Sequence, residues 1–310
     1  MYRQSNWENL QSPPFSPVAG QGPPQPPPPP VPEPPRVDQV GYEVLTSEHI
    51  STDEDPYAFL GHFHTIFLID DSVSMSKYWG EAEKLFQELA PFFSPHYPNG
   101  LKMHFVNHGA YLLMNWRSHN RGNNASDIFQ SAKPNSRCRL GRRLKYLLKG
   151  YIKEYVRCLK GGRTQGSIPI WPVNVVVVTA GEIDDDIVQP LMWTSIALDL
   201  LRAPLYQVGV QFFHVKNQKV GALNGLSEMA SKFNFRKIVS TAWLGPPGEW
   251  SANEFLDRLR DSVEASIGDE EDRANESEDD TGYGEYEVYD SEYDDEENYF
   301  SEITKGMQSL

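Results

Sequence analysis

Two carboxylates and two hydroxyls follow a short apolar run in the first third of the chain. Asp70 and Asp71 come directly after residues 64–69, and Ser72 and Ser74 follow closely. Carboxylate and hydroxyl oxygens are ligands that a hard cation such as Mg²⁺ prefers. The same side chains could instead cap a helix, because Ser and Asp accept hydrogen bonds from the first free amides of a helix. The residues alone leave both interpretations open.

Other residues with catalytic or metal-binding chemistry form weaker patterns. His104 and His108 are four positions apart, but they flank a predicted strand and no further ligand pattern accompanies them, so a chance spacing is favoured over a zinc site. The acidic run at residues 184–186 could join the first carboxylate pair in a hydrolase. That hypothesis is the weakest, because the sequence contains no phosphate-binding loop, dinucleotide fingerprint or nucleophile elbow. We therefore predict that the chain is not an enzyme.

The hydrophobic pattern predicts strands that alternate with helices. Runs of β-branched and aromatic residues predict strands, and apolar residues at steps of three and four predict helices. Such alternation is typical of an α/β fold with a doubly wound (Rossmann-like), mostly parallel sheet that is covered by helices on both faces. A short link between the second and third strands adds one antiparallel strand. The predicted strands are 64–69, 101–107, 111–116, 173–178, 206–215 and 238–239, and the predicted helices are 81–90, 140–159, 187–201, 223–233 and 253–267. Pro91 and Pro95 are expected to end the first helix.

Composition divides the chain into three parts. Residues 1–54 form a Pro-rich leader, with 13 of the 24 prolines between Pro13 and Pro35, and residues 55–267 form the folded domain. Residues 268–310 carry 17 Asp and Glu against two bases, a net charge of −15, with five tyrosines that could be phosphorylated. Both ends are predicted to be disordered, because they hold too few apolar side chains to offset the entropy of ordering.

The location of the protein is predicted from what the sequence lacks. No signal peptide or membrane span is recognisable. The only two cysteines, Cys138 and Cys158, lie near opposite ends of the predicted helix 140–159, too far apart for a disulfide, so free thiols are expected. The expected location is therefore the cytoplasm or nucleus.

A strongly basic segment spans residues 133–163. It contains eleven Lys and Arg against Glu154 alone, a net charge of +10. Such one-sided charge favours an acidic partner, which could be nucleic acid, an anionic membrane or the acidic tail of the same chain; ordinary surface charge is the alternative. The predicted basic patch comprises Lys133, Arg142, Arg143, Lys145, Lys149, Lys153, Arg157, Lys160 and Arg163.

Over residues 57–267 the chain resembles the von Willebrand factor type A family. The family's metal-dependent adhesion site begins with Asp-x-Ser-x-Ser after a buried first strand, and Asp70, Ser72 and Ser74 match it. The order of elements agrees, including the valine run that ends in Thr179. The Pro-rich leader also resembles that of intracellular fungal members. This resemblance implies an α/β domain that binds its ligand at the carboxyl edge of the sheet.

Two further positions depart from the metal site that the resemblance implies. Cys138 stands where the family has a Thr, and Ala180 stands where it has an Asp. Three oxygen ligands make a thin shell for an ion that prefers six, so we expect no cofactor, or only weak Mg²⁺ binding. Arg137 or Arg139 is predicted to take the place of the ion beside Asp70.

These features together predict a non-enzymatic intracellular protein-interaction module with a degenerate metal site. One alternative is a protein that binds nucleic acid or another anionic partner through residues 133–163. Another alternative is a metal-dependent ligand binder that uses the Asp-x-Ser-x-Ser motif.

Overall fold

The computed structural model describes residues 44–109, 112–114, 124–161, 170–216 and 236–276. Its centre is a six-stranded sheet with the order β3-β2-β1-β4-β5-β6. Every neighbouring pair of strands is parallel except β2 and β3. The predicted mostly parallel sheet with one antiparallel strand is therefore confirmed. The strands are β1 (His64–Ile69), β2 (Leu101–Phe105), β3 (Leu112–Met114), β4 (Val173–Thr179), β5 (Val208–His214) and β6 (Val239–Trp243).

The valine run places β4 in the middle of the domain. All seven residues of β4 are buried, and the strand pairs with β1 on one side and β5 on the other. A strand that is covered on both faces needs apolar side chains at successive positions, which is what residues 175–178 supply. The ends of β1 and β4 therefore lie side by side, and the loops that follow them meet.

Helices cover both faces of the sheet. On one face, Phe86 and Phe255 pack with Phe67 of β1. On the other face, Leu144 and Leu198 pack with side chains of β4. This arrangement confirms the doubly wound α/β class. The described helices are α1 (Trp79–Phe93), α2 (Ala125–Ser131), α3 (Leu140–Gly161), α4 (Val188–Leu200) and α5 (Ala252–Glu276). None of them is long and apolar enough to cross a membrane.

Helices α1, α2 and α5 differ from the sequence prediction, and one predicted helix lies outside the described residues. α1 does not end before Pro91 but continues to Phe93, whose fully buried ring contacts Phe67 at a centroid distance of 5.4 Å. Burial of this ring offsets the hydrogen bond that Pro91 cannot donate. α2 was not predicted, although Asn124 caps it by accepting a 2.9 Å hydrogen bond from the amide of Asp127. The predicted helix 223–233 lies outside the described residues.

The folded part of the chain extends beyond the predicted range 55–267 at both ends. Leu45 and Ile50 are buried in the core, and the amide of Leu45 donates to the hydroxyl of Tyr206, so residues 44–54 belong to the domain. α5 continues nine residues beyond Ile267. Glu270 accepts a 2.7 Å hydrogen bond from the amide of Leu205, and Glu271 accepts two from Ser47. Composition alone assigned these acids to a tail, whereas in the structure they bind to the domain. The remainder of the leader and of the tail lies outside the described residues.

Candidate functional site at the carboxyl edge of the sheet

Asp70 lies at the centre of the edge where β1 and β4 end. Its carboxylate is fully buried, and each of its oxygens accepts a hydrogen bond. One oxygen accepts from the amide of Ser72 over 2.9 Å, and the other accepts from the hydroxyl of Thr179 over 2.8 Å. The hydroxyls of Ser72 and Ser74 bond to each other over 2.8 Å. The motif residues thus lie together, but their polar atoms form hydrogen bonds with one another and with Thr179 of β4.

Asp71 has a different role, which the sequence did not reveal. Its side chain accepts hydrogen bonds from the amides of Asn107 and His108, at 2.7 and 3.0 Å, and its carbonyl accepts from the amide of Asn135. Burial raises the pKa of this carboxyl, while the two amides that bind it lower the pKa. Asp71 therefore fastens the loop after β2 and the segment before α3 to the end of β1. The only signal in the sequence was its position directly beside Asp70.

Cys138 lies beside Asp70, where the family resemblance placed it. Its side chain is 1% exposed, and its backbone forms a bridge with Ile183 on the loop after β4. Burial raises the pKa of the Cys138 thiol, and the charge of Asp70 raises it further. The thiol is therefore held in its protonated form, despite the arginines on either side of it in the sequence. This environment disfavours a reactive thiolate.

The structure does not pair either of the two predicted arginines with Asp70. Arg137 and Arg139 are both exposed, and among the described residues neither forms an ion pair with Asp70. Successive side chains of an extended segment point in opposite directions. Because Cys138 points inward, its two neighbours point to solvent. Neutral donors, rather than a guanidinium, stabilise the buried carboxylate.

The acidic residues 184–186, in the loop after β4, bind backbone amides at the same edge of the sheet. Asp184 accepts a 2.9 Å hydrogen bond from the amide of Cys138. Asp185 accepts 2.8 Å hydrogen bonds from the amides of Gly141 and Arg142, the first residues of α3. Asp186 accepts from the first amides of α4. A carboxylate at a helix N-terminus satisfies free amides and interacts favourably with the helix dipole.

The contact between this loop and α3 depends on a glycine. A Cβ atom added to Gly141 would lie 1.9 Å from the carbonyl oxygen of Asp186. The close approach brings the first turn of α3 directly against the loop. Of the five carboxylates that the hydrolase hypothesis named, the three of this run consequently accept hydrogen bonds from backbone amides.

The residues at this edge do not fit a magnesium ion. Both oxygens of Asp70 and the two serine hydroxyls already have partners, and the remaining positions hold a buried thiol and the methyl group of Ala180, which is 3% exposed. A thiol is a soft ligand, whereas Mg²⁺ requires oxygen. In the described part of the chain, no group of three or more His, Cys, Asp or Glu side chains could hold a metal ion.

One apolar side chain stands exposed above this closed edge. Val73 is 62% exposed on the 3₁₀ turn Val73–Met75, and its amide donates to the carbonyl of Ser136 over 3.1 Å. Its backbone is therefore anchored while its side chain faces solvent.

The basic patch of the sequence lies largely along α3. Arg142, Lys153 and Arg157 are exposed on its outward side, which also carries Tyr146, 68% exposed. Arg143 instead turns inward, with its guanidinium 3.2 Å from Nδ1 of His104 and 5.5 Å from the centre of the Tyr146 ring. Of the remaining predicted members, Lys133 is exposed, Lys145 and Lys149 are half-buried, and the side chains of Lys160 and Arg163 lie outside the described residues.

The two histidines of the sequence analysis do not form a joint site. His104 is buried beneath α3, whereas His108 contributes its amide to the contact with Asp71. Burial, together with the positive charges of Arg143 and Lys102, lowers the pKa of His104 to about 4. This histidine is therefore neutral in the folded protein at neutral pH.

Neither a protein-family model nor a curated protein matches this chain. The resemblance to the type A family thus depends on the Asp-x-Ser-x-Ser motif and on the order of the elements.

Proposed function

We propose that this chain is a non-enzymatic protein-interaction module built on a von Willebrand factor type A-like domain, and that it binds its partner at the carboxyl edge of the sheet without a metal ion. The observation that carries the proposal is the internal hydrogen bonding of that edge. Asp70, Asp71 and residues 184–186 all bind donors of their own chain. The former ligand site then acts as a rigid support for a contact surface.

The exposed Val73 supports this choice of surface. An apolar side chain on a rigid turn can be buried by a partner at little entropic cost, because its backbone is already ordered. Ser72 and Ser74 flank it in the chain, and polar residues are typical of the rim of a protein interface. Both cysteines are free, which agrees with a reducing compartment, so we place this interaction in the cytoplasm or nucleus.

A photo-crosslinking amino acid at position 73 of the full chain tests the proposal. The matched control carries the same amino acid at Val44, another exposed valine, which is 37% exposed. Val44 precedes Leu45, whose amide binds Tyr206 just before β5 begins, so it lies near the opposite edge of the sheet. We expect a protein that is captured from position 73 in cells but not from position 44.

The captured protein is then purified and its affinity is measured. We expect Val73→Glu to weaken binding strongly, Val44→Glu to leave it unchanged, and a chelator to have no effect. Equal loss with both variants, or loss of binding on chelation, would contradict the proposal.

The outward side of α3 supports nucleic acid as a second candidate ligand. Tyr146 stands exposed among Arg142, Arg143 and Lys149, and a combination of aromatic and basic side chains is typical of surfaces that bind single strands. Binding of a single-stranded oligonucleotide should weaken steeply as salt increases. Binding that is independent of salt would exclude this candidate.

A further inference from the structure

We infer that the outward side of α3, defined here by Arg142, Tyr146, Lys153 and Arg157, is the docking surface for the acidic segment 277–310 of the same chain. The proposal is independent of the contact at Val73. Its consequence is that this segment competes with external polyanions for α3.

Charge complementarity is the first argument. Residues 133–163 have a net charge of +10. Residues 277–310 contain twelve Asp and Glu against Lys305 alone, a net charge of −11. On α3, Glu154 is the one acid, and it pairs with Arg157. Opposite charges of similar size within one chain attract each other over about 8 Å at physiological ionic strength.

The second argument is the place where α5 ends. Leu205–Gln207 forms a 3₁₀ turn just before β5. At one end of this turn, the amide of Leu205 donates to Glu270 of α5 over 2.7 Å. At its other end, the side-chain amide of Gln207 donates to the hydroxyl of Tyr151 of α3. A single turn of three residues thus contacts both helices, and the acidic segment begins seven residues after Glu270, the residue of α5 that makes this contact.

The length of the segment removes any geometric obstacle. α3 has 22 residues, which corresponds to about 33 Å at about 1.5 Å per residue. The 34 residues after α5 could extend over about 110 Å at about 3.3 Å per residue. The segment can therefore run along the whole basic surface from its attachment point. Tethering also makes the local concentration of the segment about millimolar, so even weak pairing is populated.

The contact should be loose rather than of fixed geometry. Exposed ion pairs contribute about 0 to 1 kcal/mol each and are screened by salt. Tyrosines between the acids can add contacts with arginine side chains through their ring faces. Phosphorylation of those tyrosines adds about 1.5 to 2 negative charges per site and would tighten the contact.

NMR relaxation of the full-length chain tests the inference. Amide transverse relaxation rates of residues 277–310 are measured in the parent and in two triple variants. One carries Arg142→Gln, Lys153→Gln and Arg157→Gln on α3. The matched control carries Lys77→Gln, Lys84→Gln and Arg258→Gln, which remove the same charge from exposed positions elsewhere. Thermal unfolding of each variant verifies that the domain remains folded.

At about 1 M salt, where charges are screened beyond about 3 Å, we expect residues 277–310 of the parent to relax more slowly than at low salt. The α3 variant should show this slower relaxation already at low salt. The control variant should match the parent. Identical rates in all three proteins, or equal changes in both variants, would overturn the proposal.

Binding to heparin provides a second readout. Neutralising the twelve acids of residues 277–310 by Asn and Gln in the full chain should increase the affinity for heparin, and the α3 variant should cancel that gain. A gain that persists in the α3 variant would show that the segment acts only through bulk charge, which also overturns the proposal.

Discussion

The hydroxyl of Thr179, the last residue of β4, donates a 2.8 Å hydrogen bond to the carboxylate of Asp70, the residue that follows β1. The same hydroxyl accepts a 3.0 Å hydrogen bond from the amide of Gly181. Thr179 thus connects Asp70 to the loop after β4, which carries Ala180. Both hydrogen bonds of Thr179 are made directly to residues of the same chain.

Replacing Thr179 with valine should lower stability, because valine has a similar shape but cannot donate. The buried carboxylate of Asp70 would lose a partner, and we expect the free energy of unfolding to fall by about 1–3 kcal/mol. Urea unfolding of the purified chain measures this change. Thr241→Val, at an exposed position of β6, is the matched control and should change stability by less than about 0.5 kcal/mol. Equal effects of both variants would contradict the role of Thr179.

Gly141 and Gly150 should respond in opposite ways to alanine, although both lie in α3. A Cβ at Gly141 would collide with the carbonyl of Asp186, whereas one at Gly150 meets nothing within 4 Å. We expect Gly141→Ala to destabilise the protein by about 1–3 kcal/mol or more. Gly150→Ala should stabilise it by about 0.5–1 kcal/mol through higher helix propensity. Thermal and urea unfolding of the two variants test the pair, and a stabilising Gly141→Ala would refute the close contact.

The fold could be predicted largely from periodicity, because buried strands and amphipathic helices repeat their apolar residues. The valine run of β4 and the helical steps of α3 are examples. The site could be predicted only in part. The motif indicated Asp70, Ser72 and Ser74, but nothing periodic indicates which amide a loop carboxylate accepts from. Asp71 and Asp185 therefore appeared as candidate catalytic acids, but in the structure they accept hydrogen bonds from backbone amides.

The sequence did not predict features that depend on the direction of a side chain or on contacts between distant segments. Cys138 is buried beside Asp70, whereas its neighbours Arg137 and Arg139 are exposed to solvent. The extension of α5 depends on Glu270 and Glu271 meeting distant backbone and hydroxyl groups. Neither fact is encoded in the composition of the segment.

His104 should make the protein less stable in mild acid. Its pKa in the folded protein is about 4, below the ordinary value of 6.5, because of its burial and of Arg143, Lys102 and His64 nearby. Between these values the unfolded chain binds a proton that the folded chain does not, so stability falls as pH decreases from about 6.5 to about 4. We expect His104→Leu to reduce this slope in urea unfolding. His108→Gln is the control, and a slope in His104→Leu equal to that of the parent would contradict the assignment.

Introducing ligands at the two positions that depart from the type A motif should make the domain respond to magnesium. Because both oxygens of Asp70 have partners and the neighbouring positions hold the Cys138 thiol and the Ala180 methyl group, millimolar Mg²⁺ should leave the melting temperature of the parent unchanged. The double variant Cys138→Thr with Ala180→Asp adds an oxygen ligand and a second carboxylate beside Asp70. Without metal this variant should be less stable than the parent, because two buried like charges repel each other.

Magnesium should then recover that loss in the double variant, since a ligand at 100 times its dissociation constant adds about 2.7 kcal/mol of stability. Thermal unfolding with and without Mg²⁺ measures the effect. The matched control, Cys138→Thr with Ala180→Asn, has nearly the same shape but no added charge, so it should respond weakly or not at all. Stabilisation of the parent by Mg²⁺ would show that the hydrogen bonds around Asp70 yield to an ion, and it would refute a metal-independent contact surface at this edge of the sheet.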